Sequence, residues 1–349
     1  MDVTRALDAN LNRALEALRV VEDYARFVVA RPGVARKAKA LRHATQDAVA
    51  SLVPATQRLE ARDAEGDPGR AGGVLAPPEA GRSSVEQVAL ANLARAQEAL
   101  RALEEFSKPA SPEVASRLSQ QRYAVYTLGQ ELLRPAIDWS GREVYAILGP
   151  RPGREDVVGL AGACLAGGVR LLQLRLKQGS DRERLRITEA VQQRCLDHDA
   201  WLIVNDRVDL AQLVGARGVH LGVDDLPPER VRSLLGSGCA IGASAHDGPE
   251  LERALSAGVD YVGFGTLYRS GTKPELRAQG LETLRRLAPG AGVPIFGIGG
   301  VDLENAGEVI AAGASGVAVG GALLDAPDVA RAAAQLCERV ATALAEREP

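Results

Sequence analysis

The residues that could do chemistry begin at Gln173-Leu174-Arg175-Leu176-Lys177, joined by Asn205-Asp206 and Lys273. Alternate side chains of an extended strand share a face. Gln173, Arg175 and Lys177 therefore point one way, and Leu174 and Leu176 the other. Three polar side chains, two of them cationic, at the end of an apolar strand suit a bound polyanion such as a diphosphate. The same pattern suits a solvated strand end, and the stretch alone does not choose between them. Composition adds weight to the first reading. Of 42 basic residues only five are lysines: Lys37, Lys39, Lys108, Lys177 and Lys273. From Trp139 onward only Lys177 and Lys273 remain. A lysine kept in so arginine-biased a chain suggests a need for a compact ammonium rather than a planar fork.

The elements that must position these residues follow a simple alternation. After a linker from Arg134-Pro135 to Ser140-Gly141, short apolar runs predict strands at 144–148, 169–174, 201–204, 218–221, 239–243, 259–264, 293–298 and 315–319. Each is followed by a helix-like segment, the last from Pro327 to about Glu346. Eight such units in about 210 residues predict a (β/α)8 TIM barrel over 139–349, with a doubly wound sheet as the alternative. Ligand sites of such barrels lie at the C-terminal ends of the strands, and the unusual polar clusters fall there. Gln173, Arg175 and Lys177 follow strand 2, Asn205-Asp206 end strand 3, and His220 and Asp224-Asp225 follow strand 4. Ser244 and His246 end strand 5, Ser270-Gly271-Thr272-Lys273 lie in the loop after strand 6, Gly299-Gly300 follow strand 7, and Gly320-Gly321 follow strand 8.

The chemistry can be read from residue types. Gly299-Gly300, ahead of a helix expected to start near Asp302, and Gly320-Gly321 would let backbone N–H groups close on a phosphate. Taken alone, this says only that a ligand is phosphorylated. Asp206 and Asp225 on adjacent strands suit Mg²⁺, which takes one or two carboxylates plus phosphate oxygens and water. One phosphate subsite beside one Mg²⁺-assisted diphosphate subsite suggests joining two phosphorylated small molecules with loss of diphosphate.

Residues 1–138 read as an all-α helical-bundle domain. Helices are expected at 2–30, where Leu7, Leu11, Leu15, Leu18, Val21 and Ala25 keep helical spacing, and at 34–52, 84–107 and 112–133. Ser111-Pro112 is a start signal, and the Gly- and Pro-rich stretch 60–84 is expected to be a loop. The segment Ala9-Asn10-Leu11-Asn12-Arg13-Ala14-Leu15-Glu16-Ala17-Leu18-Arg19 recurs 82 residues on as Ala91-Asn92-Leu93-Ala94-Arg95-Ala96-Gln97-Glu98-Ala99-Leu100-Arg101, extending to Glu22/Glu104. That offset is too long for a solenoid unit and predicts two pseudo-symmetric halves. The face carrying Asn10, Arg13 and Glu16, repeated as Asn92, Arg95 and Glu98, reads either as a ligand seam or as an ion-pair network.

Composition excludes other classes. A net charge of −3 exerts no general pull toward nucleic acid or anionic membrane. No apolar run approaches the ~20 residues that span a bilayer, and no apolar signal core opens the chain. Cys164, Cys195, Cys239 and Cys337 form no CxxC pair, so neither disulfides nor a cysteine metal site is expected, and a cytoplasmic setting fits. The sequence leaves assembly into a homo-oligomer open.

Gln173-x-Arg175-x-Lys177, Val204-Asn205-Asp206, Val219-His220-Leu221-Gly222 with Asp225, Thr272-Lys273 and Gly297-Ile298-Gly299-Gly300 together resemble thiamine-phosphate synthases, in the family's order and over essentially all of 143–345. The resemblance implies condensation of hydroxymethylpyrimidine diphosphate with thiazole phosphate, the latter carboxylated or not, to thiamine phosphate and diphosphate. It implies that Gln173, Arg175, Lys177, Asn205, Ser244 and Lys273 hold the pyrimidine diphosphate, with Arg175, Lys177 and Lys273 carrying the catalytic charge. Asp206 and Asp225 would hold Mg²⁺. Ser270, Gly271, Thr272, Gly300, Gly320 and Gly321 would line the thiazole phosphate site. The mechanism implied is dissociative and needs no side-chain nucleophile. Two departures fall on the thiazole side: Thr266-Leu267-Tyr268-Arg269-Ser270 stands where the family often has Pro-x-Phe-Pro-Thr, and Gly321 where it commonly has Ser. Val223 also replaces a common Gln.

A thiazole tautomerase is a related alternative, with His220 and His246 as its candidate acid and base; the plainer reading has both packing and hydrogen-bonding at strand ends. A non-catalytic phosphate-binding barrel is the third. The helical region, through Ala6–Arg13, Leu18–Phe27, Leu41-Arg42-His43 and Arg62–Asp67, resembles a domain fused ahead of some bacterial thiamine-phosphate synthases. It contains no Gly-rich nucleotide loop, which favours a docking module over a second activity.

Overall fold

The computed structural model describes residues 3–29, 31–62, 84–134, 137–268 and 280–347. The chain divides into two compact units, Met1–Pro135 and Ala136–Pro349.

In the first unit, α1 (Thr4–Asp23) runs into a π-helical turn (Tyr24–Val28) and is followed by α2 (Pro32–Ala50), α3 (Ala55–Glu60), α4 (Val85–Ser107) and α5 (Pro112–Leu133). The short α3 was not foreseen, since six residues are too few to show a helical period. Ser84 caps α4 through the Gln87 N–H (3.2 Å) and Ser111 caps α5 through the Val114 N–H (3.3 Å). Leu7, Leu11, Leu18, Leu93, Leu100, Leu118 and Leu128 share one core. Of the 63–67 stretch that carries part of the resemblance, and of the 60–84 loop beyond Arg62, nearly all lies outside the described residues.

The internal repeat is visible in the ion pairs. Glu104 is gripped by Arg101 (2.8 Å) and by Arg122 of α5 (3.0 Å). Glu22 meets Arg19 (3.8 Å) and Arg42 of α2 (3.3 Å) in the same pattern. Asn10 and Asn92 each donate to the carbonyl four residues back, at 2.9 and 2.8 Å. The paired charges thus sit at Glu22 and Glu104, whereas Arg13 and Glu16 of the expected seam are exposed. Asp8, itself buried, accepts a fork from Arg62 (2.6 and 3.2 Å), and His43 is exposed.

The second unit is a closed parallel barrel, β1 to β8 in chain order. The strands are β1 (Val144–Leu148), β2 (Leu171–Leu174), β3 (Trp201–Asn205), β4 (Gly218–Leu221), β5 (Ala240–Ala245), β6 (Tyr261–Phe264), β7 (Ile295–Ile298) and β8 (Gly316–Val319). Between and after them run α6 (Val157–Ala166), α7 (Asp181–Asp197), α8 (Val208–Val214), α9 (Pro228–Leu235), α10 (Gly248–Ser256), α11 (Gly280–Leu287), α12 (Ala306–Ala311), α13 (Gly321–Leu324) and α14 (Val329–Arg347).

Two packed layers explain why the strands read as unbroken apolar runs. Val144, Ala146, Leu148, Leu172, Leu174, Leu202 and Val204 face the helices. The alternate residues Tyr145, Leu171, Ile203, Ala240, Tyr261, Phe296 and Ala318 fill the barrel. Trp139, just before β1, lies against Trp201, Tyr261 and Phe296 with ring centroids 5.3, 5.0 and 5.8 Å away. Since Trp201 and Tyr261 open their strands, this ring closes the N-terminal mouth. The candidate site residues lie at the other end, where ligand sites of such barrels are found.

One expected element moves. No α-helix starts near Asp302; α12 begins at Ala306. Asp302 Oδ1 accepts from the N–H groups of Glu304 and Asn305, and Asn305 Oδ1 accepts from that of Asp302, each at 3.0 Å. These short polar side chains hold a local turn that competes with helix.

Candidate functional site

Strand parity carries the polar residues into the C-terminal mouth. In β2, Leu171 and Gln173 face inward while Leu172 and Leu174 pack outward. The Arg175 N–H donates to Leu148 O (2.7 Å), extending the ladder one step and keeping the alternation toward Lys177. Leu176 packs outward against the helix-side core. Gln173, Leu174 and Leu176 thus keep the expected parity, although the strand itself ends at Leu174.

Lys177 contacts the carboxylate of Asp206 at the end of β3. Asp206 has φ +61°, in the left-handed region, so its side chain leaves the strand at an angle no extended residue could match. Its N–H donates to His220 O (2.9 Å), which fixes that turn against β4. Asp225 curls back after β4, its Oδ2 accepting from the Gly222 N–H (2.6 Å). Partial removal from water and the facing Asp206 carboxylate push Asp225 above the usual carboxylate range, while the Gly222 N–H and Lys177 pull the other way. Two facing carboxylates are the donor set a divalent cation relieves. Among the described residues no group of three or more His, Cys, Asp and Glu side chains is placed to hold a metal. A cation here would accordingly need ligand or water oxygens to complete its shell.

A cation held by this pair would have to displace any proton on Asp225, which would make its binding pH-dependent. The raised pKa means that Asp225 takes up its proton at a higher pH than an ordinary aspartate, so affinity falls earlier on acidification. We expect Mg²⁺ titrations followed by calorimetry to show proton release on binding and a marked loss of affinity in mildly acidic buffer. A pH-independent affinity would contradict this.

Beneath the mouth runs a hydrogen-bonded chain. Gln173 Nε2 donates to Tyr145 Oη (2.7 Å), Tyr145 Oη meets Tyr261 Oη (2.8 Å), Tyr261 Oη meets His220 Nδ1 (3.1 Å), and His220 Nε2 meets Ser244 Oγ (3.0 Å). Burial holds both phenols well above their ordinary range, so both keep their protons. Gln173 and His220 are only 3% and 6% exposed. The chain links the Gln173 amide on β2 to the Ser244 hydroxyl on β5 through direct side-chain hydrogen bonds. Tyr145 and Tyr261 went unnoticed in the sequence, because only strand register shows that both face inward. His246 is held by Glu250 (2.8 Å) outside this chain.

The glycine loops lie across the mouth. Gly299 (φ +92°) rests against Thr266, where a Cβ would come within 2.6 Å of its side chain. Gly300 (φ +69°) gives its carbonyl to Asn305 Nδ2 (2.9 Å). Gly320 O accepts from the N–H groups of Leu323 (3.2 Å) and Leu324 (2.9 Å), and Gly321 opens α13. Barrel order separates these loops, on β7 and β8, from the Lys177–Asp206–Asp225 cluster on β2 to β4. Asn205 ends β3 in register with His220. Ser270, Gly271, Thr272 and Lys273 lie outside the described residues.

Comparison with known proteins finds a family match within each unit. The profile of the family described as thiamine monophosphate synthase matches residues 144–323, and that of the ThiD2 family matches 5–131. A thiamine-phosphate synthase of Nostoc punctiforme is 41% identical over 93% of this chain and 90% of its own length. One from Gloeobacter violaceus is 40% identical over 97% of each. Among solved structures, a thiamine phosphate pyrophosphorylase from Pyrococcus furiosus matches with TM-score 0.55 and 33% identity, covering 58% of this chain and 98% of that one.

Proposed function

We infer, because the chain belongs to the thiamine-phosphate synthase family, that the β2–β4 side of the mouth takes the pyrimidine diphosphate and the β7–β8 side the thiazole phosphate. The reaction breaks the bond between the pyrimidine methylene carbon and the diphosphate oxygen. It forms a bond from the thiazole nitrogen to that carbon, releasing thiamine phosphate and diphosphate.

On this reading Arg175, Lys177 and Lys273 neutralise the charge that grows on the leaving diphosphate, and Asn205 and Gln173 orient the pyrimidine. Ser244, held by His220, would take a further polar edge of that ring. Asp206 and Asp225 would hold Mg²⁺, which when bound supplies positive charge to the diphosphate oxygens. Ser270, Gly271, Thr272, Gly300, Gly320 and Gly321 would enclose the phosphate that orients the thiazole nitrogen. The electron-rich aminopyrimidine stabilises positive charge at the methylene, so departure of diphosphate can run ahead of attack and no side-chain nucleophile is required. Among the described residues no helix is long and apolar enough to cross a membrane.

The observation that carries the reading is the facing Asp206–Asp225 pair with Lys177 upon it. A thiazole tautomerase would need no such cluster, and His220, buried between Tyr261 and Ser244, is poorly placed to exchange a proton with a ligand. The test is to incubate the protein with both phosphorylated precursors, with and without Mg²⁺. Mg²⁺-dependent thiamine phosphate is the expected result. Deuterium exchange into the thiazole phosphate alone, with no coupled product, would sink it.

A further inference from the structure

We propose that Arg151 binds the phosphate of the thiazole substrate, taking over at the end of β8 the part a side-chain hydroxyl at position 321 would play. The proposal rests on assigning the β7–β8 side of the mouth to that phosphate, and concerns a residue that the sequence motifs do not include.

Arg151 lies in the loop between β1 and α6, and β1 is hydrogen-bonded to β8. A tight turn shapes this loop: the Arg154 N–H donates to Arg151 O (2.9 Å) and the Arg151 N–H to Arg154 O (3.4 Å). Arg154 Nη2 donates to Ala326 O (2.8 Å), and Arg151 Nε pairs with Asp325 Oδ1 (3.3 Å). Two arginines therefore stitch the β1 loop to the segment just past α13.

The consequence is at Gly321. Both Nη1 and Nη2 of Arg151 lie 3.2 Å from the point a Cβ at 321 would occupy, with Asp325 Oδ2 at 3.4 Å. The guanidinium thus fills the space that a serine side chain would take. With its Nε on Asp325, its two Nη groups stand beside Gly321, in the loop assigned above to the phosphate. Asp325 is 57% exposed, so water screens its charge, while Arg151 is half-buried at 29%. Glycine at 321 and arginine at 151 are then one device: the missing hydroxyl makes room for a cation, which contributes a stronger, charge-assisted hydrogen bond. A planar guanidinium suits a phosphate monoester because it can offer two parallel donors.

Steady-state kinetics with each substrate varied in turn tests this. Arg151→Ala should raise KM for thiazole phosphate about 10- to 100-fold, the range for one charge-assisted hydrogen bond, and leave KM for the pyrimidine diphosphate unchanged. Arg151→Lys should fall between, and Gly321→Ser placed on Arg151→Ala should recover part of the loss. With the unphosphorylated thiazole alcohol as acceptor, wild type and Arg151→Ala should be alike, a result that loop damage alone would not produce. An unchanged KM for thiazole phosphate overturns the proposal, as does an equal loss with the alcohol. A rise in KM for the pyrimidine diphosphate instead would show that the assignment of the two sides has failed.

Discussion

Replacing Asp206 by Asn should lower kcat/KM about a thousandfold at saturating Mg²⁺, equivalent to roughly 4 kcal/mol of transition-state stabilisation. Asparagine is the informative choice because the position has φ +61°. Asn is among the few side chains that adopt that region readily, so the turn onto β4 survives while the charge is lost. Two effects act in the same direction. The Mg²⁺ site loses one of its two proposed carboxylates, and Lys177 loses the partner that holds its ammonium at the mouth. Thermal unfolding should change little, which separates a chemical defect from a folding one. A loss below about tenfold, with Mg²⁺ affinity intact, would mean that the carboxylate pair is a structural ion cluster rather than the metal site.

The second large effect is on stability. Gly242→Ala in β5 should destabilise the barrel by about 3 kcal/mol or more, at the upper end of what overpacking costs. A Cβ there would lie 2.0 Å from Tyr261 Cζ and 2.3 and 2.5 Å from its two Cε atoms. The ring cannot swing aside easily. Trp139 and Phe296 pack on it at 5.0 and 5.7 Å, and its hydroxyl meets both Tyr145 and His220. Denaturant unfolding checks the size of the effect, and adding Tyr261→Leu should return part of the loss. A cost below about 1 kcal/mol would show that the ring relocates freely, and the interior chain would then be less rigid than its geometry implies.

Much of this molecule is legible without coordinates. The eightfold strand–helix alternation predicts the barrel because each strand buries both faces and is therefore apolar throughout, a pattern that survives in one dimension. Strand starts are placed up to two residues early, as at 169 against Leu171, because apolar residues entering a strand pack before the ladder begins. The Ser111-Pro112 cap and the Glu22/Glu104 repeat are legible for the same reason: local chemistry at fixed spacing. The turn at Asp302–Asn305 is not, since Asp and Asn are as compatible with a helix start as with a turn that closes on itself.

Residue types and order by themselves determined the family-like motif set, the barrel and the strand ends that bear polar side chains. That information is local, repeated every strand, and redundant across eight of them. Only the tertiary structure decided which polar groups meet. Closure of the barrel sets Asp206 facing Asp225, strings Gln173, Tyr145, Tyr261, His220 and Ser244 into one chain, and lays Arg151 over Gly321. Those partners are separated by as many as 170 residues, from Arg151 to Gly321, and no period or spacing along the chain encodes a contact made by β8 returning to β1.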